Sequence, residues 1–305
     1  MLKHFALSLF LLFSLLSIFS GCSASYNRSQ YIGILESYPP YNNEDTSNIP
    51  VFYYSASSDS NLIRLRNKFD LDKIAGNGTE ISKIINLMEW VHNSFRDDGS
   101  SQNPNPRNTF NIFKVCQEEN RGINCRMYAT VLNEVYLSMG FKSRLVTCMP
   151  AKINFNDCHV INIVYSNTYK KWIYMDPTWD VYFTDENGNY LNIQEVRNRL
   201  MNNKILHVSN KININLDNYF YRLLNIFGES TTNYYLDYMS KNLFRFSCPT
   251  RSEFNEETNK DRSYIELVPK GYMVNKTTKV DSLRGYNLTT YFISSSKLFW
   301  ETPKL

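Results

Sequence analysis

The sequence predicts an α+β fold, and three observations point to it. An amphipathic helical pattern starts at Asn124–Cys125 and stops at Gly140. Three runs rich in β-branched and aromatic residues follow, at Arg144–Met149, Cys158–Tyr165 and Lys171–Met175. The last two are close enough in sequence to form an antiparallel hairpin.

The elements follow in chain order. Lys3, the apolar run Phe5–Phe19 and the small residues Ser20–Gly21 before Cys22 form an export signal. Its apolar run is shorter than the roughly 20 residues of a membrane-spanning helix. Residues 22–50, rich in Ser, Asn, Tyr and Pro, read as a tether with little structure of its own. Val51–Tyr54 suggests a short strand, and Leu62–Leu71 a helix. Thr79 is positioned to cap a helix from Glu80 to about Phe95. Its stripe Ile81, Ile84, Ile85, Met88, Val91 and Phe95 follows three-four spacing, with His92 as a boundary residue beside it. A loop through Pro104–Pro106 leads to a short helical stretch before Cys116. The next helix, Asn124–Met139, buries Tyr128, Ala129, Leu132, Val135, Tyr136 and Met139, with Cys125 on the same stripe. After the three strands and a turn at Asn187–Asn189, residues 193–206 and 219–244 read as helical, with a break at Gly228. Tyr264–Val268 and Thr289–Ile293 suggest a small terminal hairpin or sheet. The expected division is a leader at 1–21, a tether at 22–50, a main domain at 51–248 and a small β extension at 249–305.

Composition narrows the functional classes. The formal net charge is only +4, and the charges are scattered, which excludes the clustered basic face of a nucleic-acid binder. The 22 Tyr and 19 Phe are accounted for by core and β-surface packing rather than by a carbohydrate platform. Of the six cysteines, Cys116, Cys148, Cys158 and Cys248 are open to disulfides in an exported protein, or to burial as free thiols. No spacing suggests zinc.

Cys125, His159 and Asp176 carry the chemistry. A thiol at a helix start meets unpaired N–H groups and the positive end of the dipole, which favour its thiolate. Gly122 gives the preceding loop freedom to bring backbone close to a substrate. His159, Ile161, Ile163 and Tyr165 share one strand face, as do Trp172, Tyr174 and Asp176. A four-residue loop Ser166–Tyr169 sets His159 directly opposite Asp176, with Cβ atoms about 4.5–5.5 Å apart. A six-residue loop makes them diagonal neighbours on the same face, about 7–8 Å apart. An odd loop separates them. Taken alone, Cys125 reads as a core thiol, His159 as a strand histidine and Asp176 as a strand end. Together they compose a nucleophile, a base and an orienter.

Two resemblances follow from these residues. Ser20-Gly21-Cys22 resembles the lipobox of bacterial lipoproteins, with Phe19 in place of the usual Leu. That resemblance implies cleavage before Cys22, a diacylglycerol on its thiol and palmitate-type acylation. The stretch 71–200 resembles the transglutaminase-like superfamily, the papain-related Cys-His-Asp enzymes. The likeness rests on Asn124-Cys125-Arg126-Met127-Tyr128-Ala129, on Gly140 followed by the Arg144 strand, on Cys158-His159-Val160 and on Trp172-Ile173-Tyr174-Met175-Asp176-Pro177-Thr178. It implies a nucleophile helix packed on an antiparallel sheet, with Cys125 as nucleophile, His159 as general base and acid, and Asp176 as orienter. The residues after His159 depart from the acidic-aromatic pattern frequent in the family, and no oxyanion side chain is identifiable. The family holds cross-linkers, peptidases, amidases and inactive members.

The expected protein is therefore exported and lipid-anchored through Cys22 to a bacterial membrane, at the outer membrane or cell surface. It cleaves amide bonds of a peptide, protein or cell-wall substrate by thiol acyl transfer, with no metal or organic cofactor and no nucleic acid. The competing expectation is a non-catalytic surface lipoprotein whose groove binds peptide or glycan.

Overall fold

The computed structural model of the protein describes residues 27–44, 48–152, 157–209, 231–272, 278–283 and 285–304. The expected leader and Cys22 lie outside the described residues. In chain order come α1 (Arg28–Glu36), β1 (Tyr53–Tyr54), α2 (Ser60–Lys68), α3 (Leu71–Ala75), α4 (Glu80–Asn93) and α5 (Thr109–Glu119). These lead to α6 (Cys125–Ser138), β2 (Ser143–Met149), β3 (His159–Ser166), β4 (Lys171–Met175), β5 (Phe183–Thr184), α7 (Ile193–Met201) and β6 (His207–Val208). The remainder is α8 (Thr231–Asn242), β7 (Arg245–Pro249), β8 (Arg251–Ser252), β9 (Asp261–Leu267), β10 (Thr278–Leu283), β11 (Tyr286–Ile293) and α9 (Ser296–Phe299).

Seven strands form one sheet in the order β10-β11-β9-β7-β2-β3-β4, antiparallel throughout except for the parallel pair β9–β11. The α+β class and the helix packed on an antiparallel sheet agree with the sequence expectation. On one face, α6 and α4 bury Met127, Val131, Val135, Ile84 and Met88 against Val164, Ile173 and Met175. On the other, α7 and α8 bury Val196, Tyr235, Leu236 and Met239 against Ile161, Ile163, Trp172 and Tyr174. The two-residue period of β3 and β4 thus feeds two cores.

Helix ends follow capping chemistry. Thr79, Asn108, Asn124 and Asn192 each accept a backbone N–H of their own first turn, and Asn192 forms a reciprocal capping box with Glu195. The expected helix at 62–71 is two helices, because Asp70 adopts a left-handed conformation at φ 50°. The stretch expected at 193–206 stops at Met201, and Asn203 turns left-handed just beyond it. Of the helix expected at 219–244, residues 219–230 lie outside the described residues and 231–242 are helical.

Two expectations are corrected. Residues 28–36 are not a structureless tether but α1, capped by Asn27. Leu35 is buried with Phe244, Val268 and Tyr272, and Arg28 pairs with Asp237 at 2.5 Å. The apolar side of α1 is short and set among polar residues, which masked it. Of the expected hairpin or sheet, the terminal strands form the sheet and not the hairpin: β11 pairs in parallel with β9, β9 pairs with β7, and β10 closes the edge. The C-terminal region thereby extends the central sheet, and the expected boundary at 248–249 falls inside β7. Arg144 ties the chain end to this sheet. Its buried guanidinium donates to Tyr54 Oη (2.5 Å) and to the carbonyls of Phe299 (2.5 Å) and Glu301 (3.2 Å). It also stacks over Phe52 at 3.6 Å. Among the described residues no helix is long and apolar enough to cross a membrane.

Candidate active site

Cys125 is the first residue of α6. The Asn124 side chain accepts the Met127 N–H at 3.0 Å and donates to the Ser101 carbonyl at 2.8 Å, which ties the helix start to the loop before it. The sulfur is half-buried against Ala129, Leu145 and Val160. Ala129 lets α6 lie close on the sheet, and its carbonyl accepts from Asn162 Nδ2 at 2.9 Å. Gly122 serves a different end from the one the sequence suggested. A Cβ there would sit 2.5 Å from the Arg96 carbonyl oxygen and 2.8 Å from Asp98 Cβ. Glycine is required because segment 96–98 runs against 122–123, with Ile123 N–H donating to Arg96 O and Asp98 N–H to Ile123 O, each at 2.9 Å.

The β3–β4 register differs from the direct one. Ser166 pairs with Lys171, Tyr165 with Trp172 and Asn162 with Met175. His159 and Asp176 are therefore diagonal neighbours on one face, the second of the two even registers. Glu80 sets this pairing: its carboxylate accepts from Ser166 Oγ (2.6 Å), Asn167 N–H (2.9 Å) and Thr168 N–H (2.8 Å), while Lys170 completes the turn at φ 54°. The two side chains still meet, with His159 Nε2 2.6 Å from Asp176 Oδ2.

Asp176 is fully buried and held from three directions. Oδ2 also accepts from Tyr235 Oη at 2.7 Å, and Oδ1 accepts the Thr178 N–H at 3.0 Å. His159 is buried too. Burial opposes its charged form, but the Asp176 charge and hydrogen bond, with a further hydrogen bond to the Cys125 side chain, raise its pKa from 6.5 to about 10. Cys125 and His159 thus face one groove, with Asp176 hydrogen-bonded to the imidazole.

Cys125 and His159 open into a groove of about 560 Å³. Trp179, Tyr234 and Tyr238 form an aromatic wall, and Asp97, Asn103 and Arg126 are among the residues facing it. The Tyr238 ring meets the His159 ring edge-on at 5.4 Å. Sequence reasoning missed these tyrosines. The signal was the aromatic spacing Tyr234, Tyr235, Tyr238, which reads as an ordinary buried stripe. His92 also has a place in the site's support. It is buried on α4, its Nδ1 donates to the Pro177 carbonyl at 3.0 Å, and burial lowers its pKa. It braces the turn that carries Asp176.

Cys116, Cys125, Cys148, Cys158 and Cys248 are free thiols. Among the described residues no group of three or more His, Cys, Asp or Glu side chains is disposed to hold a metal ion.

Residues 68–177 match the family model described as the transglutaminase-like superfamily. No curated protein matches. A solved structure described as a "Putative Cysteine Protease from Cytophaga hutchinsonii" is 21% identical, covering 45% of this chain and 43% of its own, with a TM-score of 0.30. The match thus spans less than half of that chain, and so loose a superposition carries no weight for function. The family match encloses the helix of Cys125, the strand of His159 and the turn of Asp176, and it supports a cysteine-dependent enzyme in general. Over residues 68–177, this chain is similar to the transglutaminase-like superfamily.

Proposed function

We propose that the protein is a thiol enzyme acting on amide bonds by Cys125–His159–Asp176 acyl transfer, with water as acceptor, and that a lipid on Cys22 anchors it to a bacterial membrane. The observation that carries the catalytic part is that Cys125 and His159 line one open groove while Asp176 holds the imidazole at 2.6 Å.

With its pKa near 10, His159 holds a proton at neutral pH. In the proposed cycle that proton comes from Cys125. The sulfur attacks the amide carbonyl, the C–N bond breaks as the thioester forms, and imidazolium gives its proton to the leaving amine. His159 then takes a proton from water as the hydroxyl adds to the thioester. The C–S bond breaks, the acid departs and the proton returns to the thiolate–imidazole pair. Asp176 keeps the ring oriented and offsets its charge. The first N–H groups of α6 supply hydrogen bonds for the oxyanion, each worth on the order of 2.7–4 kcal/mol in the transition state. Hydrolysis is favoured over cross-linking because water needs no second binding site.

Labelling with a thiol-directed electrophile near pH 7 tests the reading. Selective modification of Cys125, lost in His159→Ala, together with turnover of a peptide or cell-wall amide, supports it. A Cys125 no more reactive than in the denatured chain favours a binding module that uses the aromatic wall. The anchor has its own test: Cys22→Ser releases the protein from the membrane fraction, and retention at the wild-type level refutes the lipid.

A further inference from the structure

We propose that Asp97 forms a subsite beside Cys125 and His159 for a primary ammonium group of the substrate. This rests on the groove being the catalytic one.

Asp97 lines the same groove as the thiol and the imidazole. Its position is set by backbone. Asp97 bridges Ile123, two residues before Cys125, and the missing Cβ of Gly122 permits that approach. The neighbouring acids are engaged. Asp176 is held by His159, Tyr235 and the Thr178 N–H. Asp157 binds Lys241 and Tyr238 Oη. Asp98 accepts from Ser100 N–H (3.0 Å) and Ser100 Oγ (2.6 Å). The groove's cation, Arg126, is taken up by Glu257 and Thr147. For the Asp97 carboxyl, no hydrogen-bond or ion-pair partner occurs among the described residues.

The titratable groups around it are His159 on β3, Asp176 after β4, Asp98 on its own segment and the neutral Tyr128 hydroxyl of α6. Burial raises its pKa from 3.8 to about 6, with Asp98 and Asp176 raising it further and His159 opposing. At neutral pH it is an anion, half-buried, and the cation that opposes the rise of its pKa, His159, is hydrogen-bonded to Asp176 instead. Such a group is costly unless a cation completes it. Amide chemistry at this centre offers one: the α-ammonium of a peptide, or the ε-ammonium of a lysine.

The test uses the full-length chain and two methanethiosulfonate reagents, one with an aminoethyl group and one with a neutral methyl group. Rates at Cys125 are read by peptide mapping. The ratio of aminoethyl to methyl rate is expected to fall roughly three- to tenfold in Asp97→Asn and in Asp97→Ala, as removal of one nearby charge implies. Asp98→Asn is expected to keep the wild-type ratio. An unchanged ratio in both Asp97 variants, or an equal fall in Asp98→Asn, overturns the proposal. Slow modification by the methyl reagent ends the enzyme reading instead, while the ratio, followed over longer exposure, still tests Asp97. Glycylglycinamide and Nα-acetyl-lysinamide separate the two sources. One of them protects Cys125 from the methyl reagent, its fully acetylated counterpart does not, and Asp97→Asn abolishes the difference. Protection by neither overturns the subsite.

Discussion

His159 and Asp176 stand two residues out of direct register across β3 and β4, yet close a 2.6 Å hydrogen bond between Nε2 and Oδ2. The carboxylate keeps its orientation because Tyr235 and the Thr178 N–H bind it as well. Asp176→Asn is expected to lower kcat/KM by roughly 10²–10⁴-fold on a peptide or cell-wall amide that the wild type turns over. It also bears on stability. A histidine whose folded pKa lies above its unfolded 6.5 contributes stability fully present below about pH 6.5 and lost as pH rises through about 10. Denaturant midpoints should therefore fall between pH 6.5 and 10 in the wild type, and much less in Asp176→Asn.

Tyr235→Phe removes one of the three hydrogen bonds on Asp176 and the partner of the Tyr174 hydroxyl, 2.5 Å away. Thermal unfolding should show a loss of about 1–3 kcal/mol, since a buried hydroxyl is left unpaired. The Cys125 labelling profile should move toward a lower His159 pKa. A variant with wild-type stability and an unmoved profile would show that Tyr235 does not support the carboxylate.

Asp97→Asn is expected to stabilise the fold. An aspartate raised from 3.8 to about 6 costs nothing below pH 3.8, and its cost grows until pH passes 6. The variant should gain on the order of 1–3 kcal/mol above pH 6 and nothing near pH 3.5. Parallel urea titrations at the two pH values read the difference. Stability surrendered at such a position is common where a site is shaped for a ligand.

Gly122→Ala drives a methyl group into the Arg96 carbonyl. A loss of about 1–3 kcal/mol is expected, as for other overpacked positions. Cys125 labelling should slow because the helix start is displaced. Unchanged melting and labelling would show that segment 96–98 can move aside freely.

Glu80→Ala deletes the acceptor of three hydrogen bonds at the β3–β4 turn. Faster amide exchange at Asn167 and Thr168 is expected, with a loss of about 1–3 kcal/mol. Exchange at the wild-type rate would show that the turn residues alone hold the register.

Much of this protein is legible in its residues. Thr79 caps the helix it was expected to cap, α6 begins at Asn124–Cys125 as expected, Gly140 ends it at φ 84°, and the alternation through β3 and β4 puts His159 and Asp176 on one face. These are local effects of capping, left-handed backbone and the two-residue period of a strand. Helix α1 was less legible, because Leu35 gains its burial only from Phe244, Val268 and Tyr272, far along the chain.

What the sequence by itself determined is where each reacting group sits in its own element: a thiol at a helix start, and an imidazole and a carboxylate of matching strand parity. Only the tertiary structure decided that they meet. α6 packs on the sheet face of Val164, whereas His159 and Asp176 belong to the opposite face, under Tyr235. Cys125 and His159 face one groove at the end of the sheet, where His159 opens its strand. Glu80 holds the β3–β4 turn of the diagonal register through three hydrogen bonds, and α8 supplied the tyrosines. Each of these contacts joins residues distant along the chain, so it depends on how the elements stack and leaves no mark on local spacing.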